Sequence, residues 1–86
     1  MSKNLRRWKI TVFSLEDGKE KVSFYQLGTA PLDALRRAYH CLDDFEIVFE
    51  GYLEVCIRTS KNLIFIEFDS YPDKEEIELM ELWGAI

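Results

Sequence analysis

The chain has 86 residues and a formal net charge of −5, and 48% of its residues are hydrophobic. This length holds one domain and no second one, and the hydrophobic content excludes disorder of the whole chain. Apolar runs such as residues 63–66 are far shorter than the roughly 20 residues of a transmembrane helix. The basic residues 1–9 lead into an alternating pattern, which is unlike a secretory signal. The sequence therefore predicts a single small, soluble, cytoplasmic domain with an ordered core over about residues 7–83.

The first quarter of the chain predicts a β-hairpin. Residues 7–15 and 20–27 alternate between the two faces of a strand, with Trp8, Ile10 and Val12 on the same face. An Asp-Gly pair separates the two runs, and this pair is a strong signal for a tight turn between antiparallel strands.

A helix is predicted next. Thr29 is a candidate N-cap, Pro31 falls in the first turn, and Asp33 suits the positive end of the helix dipole. Apolar side chains then recur at helical spacing over about three turns. They are Leu32, Leu35, Ala38, Tyr39 and Leu42. This amphipathic pattern predicts a helix that packs against one face of a sheet.

Three more strands are predicted in the second half of the chain. They cover residues 45–49, 52–59 and 63–69, and we favour a turn over a bulge at residues 50–51. Both faces of the strand at 63–69 are apolar, which is typical of a central or doubly covered strand. The side chains of the first of these strands that we expect to face inward are Phe45, Ile47 and Phe49.

A second helix closes the chain. Ser70 or Asp73 can cap it, and its helical pattern runs to Leu82 or Trp83. Its apolar side contains Leu79, Leu82, Trp83 and Ile86. We expect this side to cover the sheet as a lid, with docking into a partner as the alternative. The element order is therefore ββαβββα, an α+β fold with an antiparallel sheet and one helix packed on a face.

The residue types that catalyse reactions or bind metals lack the spacing that those chemistries need. Cys41 and Cys56 show no short metal-ligand or redox spacing, and we interpret both as reduced thiols. His40 and Cys41 are neighbours, and adjacent residues on a helix point about 100° apart, so they do not form a nucleophilic pair. The four glycines are isolated and form no phosphate-binding loop. We therefore expect no catalytic residue, no metal site and no cofactor, and a protein that is not an enzyme.

Charge is distributed unevenly along the chain. Residues 1–37 contain eight Lys or Arg against four Asp or Glu, whereas residues 38–86 contain three against twelve. General nucleic-acid-binding modules need a basic face, so direct binding of nucleic acid is not expected. The acidic half instead suits a protein partner with a basic surface. The predicted partner-binding residues are Asp43, Asp44, Glu46, Glu50, Tyr52, Glu54, Phe68, Asp69, Tyr71, Asp73, Glu75 and Glu76.

These observations predict a non-enzymatic binding protein that does not act at a membrane. In size, charge and lack of catalytic motifs it is similar in kind to the acidic immunity proteins that block toxin nucleases, and to small phage proteins that disable host enzymes. The expected mechanism is occlusion of the basic nucleic-acid-binding surface of a nuclease or another enzyme. The alternative is a structural, assembly or regulatory protein that pairs with itself, as a homodimer, through exposed strand edges.

RNA binding through the sheet and a small enzyme are weaker hypotheses. An RNA-binding sheet would need Phe13, Tyr25 and Phe65 on the face away from the first helix, where they could stack on bases. Glutamates at neighbouring outward positions would repel phosphate: Glu46, Glu50, Glu54 and Glu67. We therefore favour a second face that is covered by the last helix or by a partner.

Overall fold

A computed structural model describes residues 5–40, 42 and 44–82 of the chain. The elements follow the predicted order, which confirms the α+β fold class. They are β1 Arg6–Ser14, β2 Glu20–Gly28, α1 Pro31–Ala38, β3 Glu46–Glu50, β4 Glu54–Arg58, β5 Asn62–Ser70 and α2 Lys74–Leu82. The predicted strands differ from these bounds by at most two residues at either end.

The five strands form one antiparallel sheet in the order β2-β1-β5-β4-β3. β5 lies at the centre, as its two apolar faces predicted. β2 and β3 are at opposite edges, so the connection between them crosses the sheet, and α1 lies in that connection. α1 covers one face of the sheet, which we call the covered face. The opposite face is called the open face.

The covered face holds the hydrophobic core. Its largest fully buried side chains come from β1, β4 and β5: Trp8, Ile10, Ile57 and Ile66. Ala34 and Leu35 of α1 pack against them. The indole Nε1 of Trp8 donates a hydrogen bond to the carbonyl oxygen of Gly28 at 2.9 Å, so its one polar atom is satisfied inside the core.

The start of α1 differs from the prediction. Ala30, not Thr29, is the N-cap residue. The Asp33 carboxylate instead accepts hydrogen bonds from the backbone N–H of Thr29 at 2.8 Å and from Nε of Arg37 at 2.9 Å. Partial burial raises the pKa of Asp33, but these hydrogen bonds outweigh it and hold the pKa below its ordinary value. The helix has eight residues, about two turns instead of the predicted three.

The predicted burial of the inward side chains of β3 is wrong, and their predicted orientation fails at Phe49. Phe45, Ile47 and Phe49 are all exposed, because β3 is an edge strand and α1 packs on the other four strands and not on β3. The register also shifts within β3, so that Ile47 pairs with Ile57 whereas Phe49 pairs with Cys56. Ile57 belongs to the core, and Cys56 points to the open face because side chains alternate along β4. The shift therefore places Phe49 on the open face.

The described part of α2 does not form the predicted lid. Leu79 and Leu82 are 58% and 80% exposed, so this side of the helix does not pack on the sheet. The other two residues of the predicted apolar side, Trp83 and Ile86, lie outside the described residues. No helix in the described part of the chain is long and apolar enough to span a membrane.

Candidate protein-binding site

Strand register arranges the open face as rows of side chains that run across the sheet. From the end of the sheet near Gly51 toward the opposite end, the rows are Lys9, Glu67 and Glu54; then Thr11, Phe65, Cys56 and Phe49; then Phe13, Leu63, Arg58 and Glu46. The second row is mostly apolar, and charged side chains lie on both sides of it. A framed apolar patch of this kind is typical of a binding surface.

Three residues of the second row form a slot in the open face. Phe49 and Phe65 are 51% and 42% exposed and lie on either side of the small, buried Cys56. The concavity between them has a volume of about 330 Å³. Glu54 and Glu67 line it as well, at the end nearest the first row. We call this feature the open-face slot.

A second feature is an acidic end of the sheet, where the β3–β4 turn meets the end of β5 and the start of β1. Tyr52 and Tyr71 lie there and are 81% and 67% exposed, more than any other described aromatic side chain. The Arg6 guanidinium carbon is 5.8 Å from the ring centre of Tyr52 and 6.0 Å from that of Tyr71. Interaction with the side chain of Tyr71, and next with that of Tyr52, raises the pKa of Arg6 above its ordinary value. An arginine is cationic at neutral pH in any case. The exposed carboxylates of this end are Glu50, Glu54, Glu67 and Asp69.

The structure brings part of the predicted partner-binding set together at the acidic end. These residues are Glu50, Tyr52, Glu54, Asp69 and Tyr71. Asp73, Glu75 and Glu76 follow on α2, where Asp73 caps the helix by accepting a hydrogen bond from the N–H of Glu76 at 2.7 Å. The Glu76 carboxylate also pairs with Arg7 of β1, which ties α2 to the sheet.

The remaining predicted residues do not join this site. Phe68 is half-buried on the covered face, with its ring centre 5.9 Å from that of Trp8, so it is not available as a surface anchor. Asp44 and Glu46 lie at the opposite end of β3, where Glu46 pairs with Arg58. Asp43 lies outside the described residues.

The described thiol and imidazole groups are those of Cys56 and His40. Burial raises the pKa of the Cys56 thiol, which keeps it protonated and a poor nucleophile near neutral pH. His40 is exposed. Among residues 5–40, 42 and 44–82, no three His, Cys, Asp or Glu side chains come together as metal ligands. Cys41 lies outside this set.

The open face has the aromatic side chains that an RNA-binding sheet needs, but it also carries carboxylates that oppose RNA binding. Phe13, Tyr25 and Phe65 do share the open face. However, Phe13 and Phe65 pack edge to face, with ring centres 5.6 Å apart and planes at 89°. Glu54 and Glu67 lie on the same face, and their carboxylates would repel the phosphates of a bound strand.

Sequence reasoning missed the open-face slot and the place of Glu67 in it. The alternation along β5 gave a usable signal, because Phe65 and Glu67 fall on the same face of a strand. Phe49 could not be assigned in this way, since its orientation depends on the register shift in β3. The closeness of Arg6 to two tyrosines depends on the pairing of β1 with β5, two strands that are far apart in the sequence.

Comparisons of the chain with protein-family models, with curated proteins and with solved structures found no match. No relative therefore suggests a function for the acidic end or the open-face slot. Their role has to be inferred from exposure, charge and shape.

Proposed function

We propose that this chain is a non-enzymatic protein that binds a basic surface of a partner protein through its acidic end. In this role it would act as a small inhibitor of a nuclease or of another nucleic-acid-binding enzyme. The observation that supports the proposal is the pair of highly exposed tyrosines, Tyr52 and Tyr71, among exposed carboxylates. Aromatic anchors surrounded by polar groups are characteristic of the energetically dominant part of protein interfaces.

The carboxylates of the acidic end are available for a partner. Glu46 and Glu76 are occupied by Arg58 and Arg7, respectively. In contrast, the side chains of Glu50, Glu54, Glu67 and Asp69 make no ion pair with any described residue. Unpaired surface carboxylates attract a basic partner and speed association, and this attraction weakens as salt rises.

The sign of the charge favours a protein over a nucleic acid as the partner. α2 extends the negative surface, because it carries Glu75, Glu78 and Glu81 against the single cation Lys74. Such a surface repels phosphate, but it can occupy a basic groove that otherwise holds a nucleic-acid backbone. In this mechanism the chain inhibits its target by occupying that basic groove.

The test is capture of partners from native lysate by the tagged full chain and its variants. We expect Tyr52→Ala to weaken the captured complex by about 30-fold, the effect of losing an interface anchor worth about 2 kcal/mol. We expect the double variant Glu50→Gln/Asp69→Asn to weaken the complex mainly at low salt. An added DNA duplex should compete with the full chain for the same partner.

Glu16→Gln/Glu20→Gln serves as the matched control, because it removes two exposed charges at the opposite end of the sheet. This control should retain the partner. If both double variants lost the same amount of captured partner, net charge and not the acidic end would drive capture. The proposal would then be wrong.

Self-association is a second candidate, supported by the edge strand β3. Ile47, Val48 and Phe49 are all about half exposed at this edge, which can add a strand from another chain. The register shift and the flanking Glu46 and Glu50 are features that protect edge strands from such pairing, so this candidate ranks second. A solution mass that rises with protein concentration would support it.

A further inference from the structure

We infer that the open-face slot receives an arginine side chain of the partner protein, an inference that rests on the protein-binding role proposed above. The aliphatic stem would lie on Cys56 between the rings of Phe49 and Phe65. The guanidinium would lie at the end of the slot, between the carboxylates of Glu54 and Glu67.

The glutamate pair is the first reason. Glu54 of β4 and Glu67 of β5 are direct register partners in adjacent antiparallel strands. Side chains in such positions have Cβ atoms about 4.5–5.5 Å apart, and like charges placed there are destabilising. Lys9 is the register partner of Glu67 on the other side, but it forms no ion pair with either glutamate in the described structure. A cation bound between the two carboxylates would relieve their repulsion.

The apolar part of the slot is the second reason. Bare cations are strongly hydrated and gain no binding energy from an apolar wall. Long cationic side chains do, because their aliphatic stem packs along such a wall. Phe49 and Phe65 supply two half-exposed rings beside the buried Cys56, and the glutamates are at one end of the same 330 Å³ concavity. The slot therefore matches a ligand with an apolar stem and a cationic head.

Arginine meets both requirements better than lysine. Its planar guanidinium has five N–H donors in a fork, which can serve two carboxylates at once. It is also more weakly hydrated than an ammonium group and stacks on aromatic rings. A purely apolar occupant suits the slot less well, because it would leave the repulsion between Glu54 and Glu67 unrelieved.

The test is an NMR titration of the ¹⁵N-labelled full chain with the peptide acetyl-Gly-Arg-Gly-amide. A second peptide with citrulline in place of arginine has almost the same shape and no charge. We expect the arginine peptide to shift the backbone amides of residues 54–56 and 65–67, and the citrulline peptide to bind several-fold more weakly. In Glu54→Gln/Glu67→Gln the arginine peptide should bind about two- to fivefold more weakly, in line with exposed ion pairs.

Glu16→Gln/Glu20→Gln is again the matched control, because it removes two exposed charges at the opposite end of the sheet, outside the slot. It should leave the titration unchanged. The inference is overturned if the two peptides bind equally, or if the arginine peptide shifts residues near every exposed carboxylate alike.

The inference about the slot and the proposed function of the acidic end can be disproved separately. If Tyr52→Ala and Glu50→Gln/Asp69→Asn weaken capture as expected while the arginine peptide shows no selective shifts, the slot inference is wrong and the proposed function stands. If the peptide binds as expected but those variants capture the partner normally, the acidic-end function is wrong.

Discussion

The two faces of the sheet are formed by alternate residues of the same strands, yet their chemistry differs. The covered face presents aliphatic side chains and Trp8 to α1, and its largest members are fully buried. The open face presents half-exposed rings, a buried thiol and a glutamate pair. The fold depends on the first face, because burial of apolar area is the main stabilising term. The second face is therefore free to carry charged and half-exposed groups that add little to the stability of the fold.

The largest expected effect follows from truncating one aromatic side chain on each face. Trp8→Ala should lower the free energy of unfolding by about 3–5 kcal/mol, since it opens a cavity beneath α1 and removes the hydrogen bond to Gly28. Phe65→Ala should cost only about 1 kcal/mol, because 42% of that side chain is already exposed. Urea unfolding of both variants measures the difference.

A chain of this size has little stability to lose, so Trp8→Ala can leave too little folded protein to measure. Trp8→Phe is the second variant, with an expected cost of about 1–3 kcal/mol from the lost volume and hydrogen bond. A cost of Phe65→Ala that exceeds the cost of Trp8→Phe would contradict this difference between the two faces.

Local patterns in the sequence were sufficient to predict the covered face. The alternation of Trp8, Ile10 and Val12 and the Asp-Gly turn depend only on neighbouring residues, and both were confirmed. Local patterns also gave Ser70 and Asp73 as candidate caps for α2, and Asp73 is the residue that caps it. These features need no knowledge of which strands pair.

The open face and the candidate site depend on pairing that no local pattern specifies. The register shift that turns Phe49 toward Cys56 is a property of two strands together. The contact of Arg6 with Tyr71 requires β1 and β5 to be neighbours, although more than 60 residues separate the two side chains. The apolar side of α2 satisfied the pattern of a lid, but a helix that docks into a partner has the same pattern, so periodicity could not separate them.

The second-largest expected change in the free energy of unfolding tests how closely α1 packs on the covered face. A Cβ at Gly28 would lie 2.7 Å from the backbone nitrogen of Ala34 and 2.8 Å from its Cα. Because the backbone of a helix cannot move aside as a side chain can, Gly28→Ala should lower the free energy of unfolding by about 1–3 kcal/mol. Thermal or urea unfolding gives the value.

Gly18 in the β1–β2 turn provides a contrast to Gly28. A Cβ there would meet no atom within 4 Å, but its φ of 72° lies in the left-handed region. Gly18→Ala should therefore cost about 1–2 kcal/mol through backbone strain and leave the α1 contacts unchanged. A cost well below about 1 kcal/mol for Gly28→Ala would show that α1 can move away from the sheet, and would contradict close packing at this position.

The smallest expected effect separates two glutamates of the open face that carry the same charge. Glu54→Gln should raise the free energy of unfolding by about 0.5 kcal/mol, because it removes the repulsion from Glu67 across the strands. Glu46→Gln should lower it by a similar or smaller amount, because it breaks the ion pair with Arg58. Both differences should shrink at high salt, since both side chains are exposed.

The opposite signs are the informative result. If the net charge of −5 were the only electrostatic effect, removing either glutamate would stabilise the protein to the same degree. A gain for Glu54→Gln together with a loss for Glu46→Gln would show that the Glu54–Glu67 pair is a local cost to the fold. Groups that reduce stability are expected where binding needs them, so this outcome would also support the open-face slot as a functional site. Equal stabilisation by both variants would remove that argument.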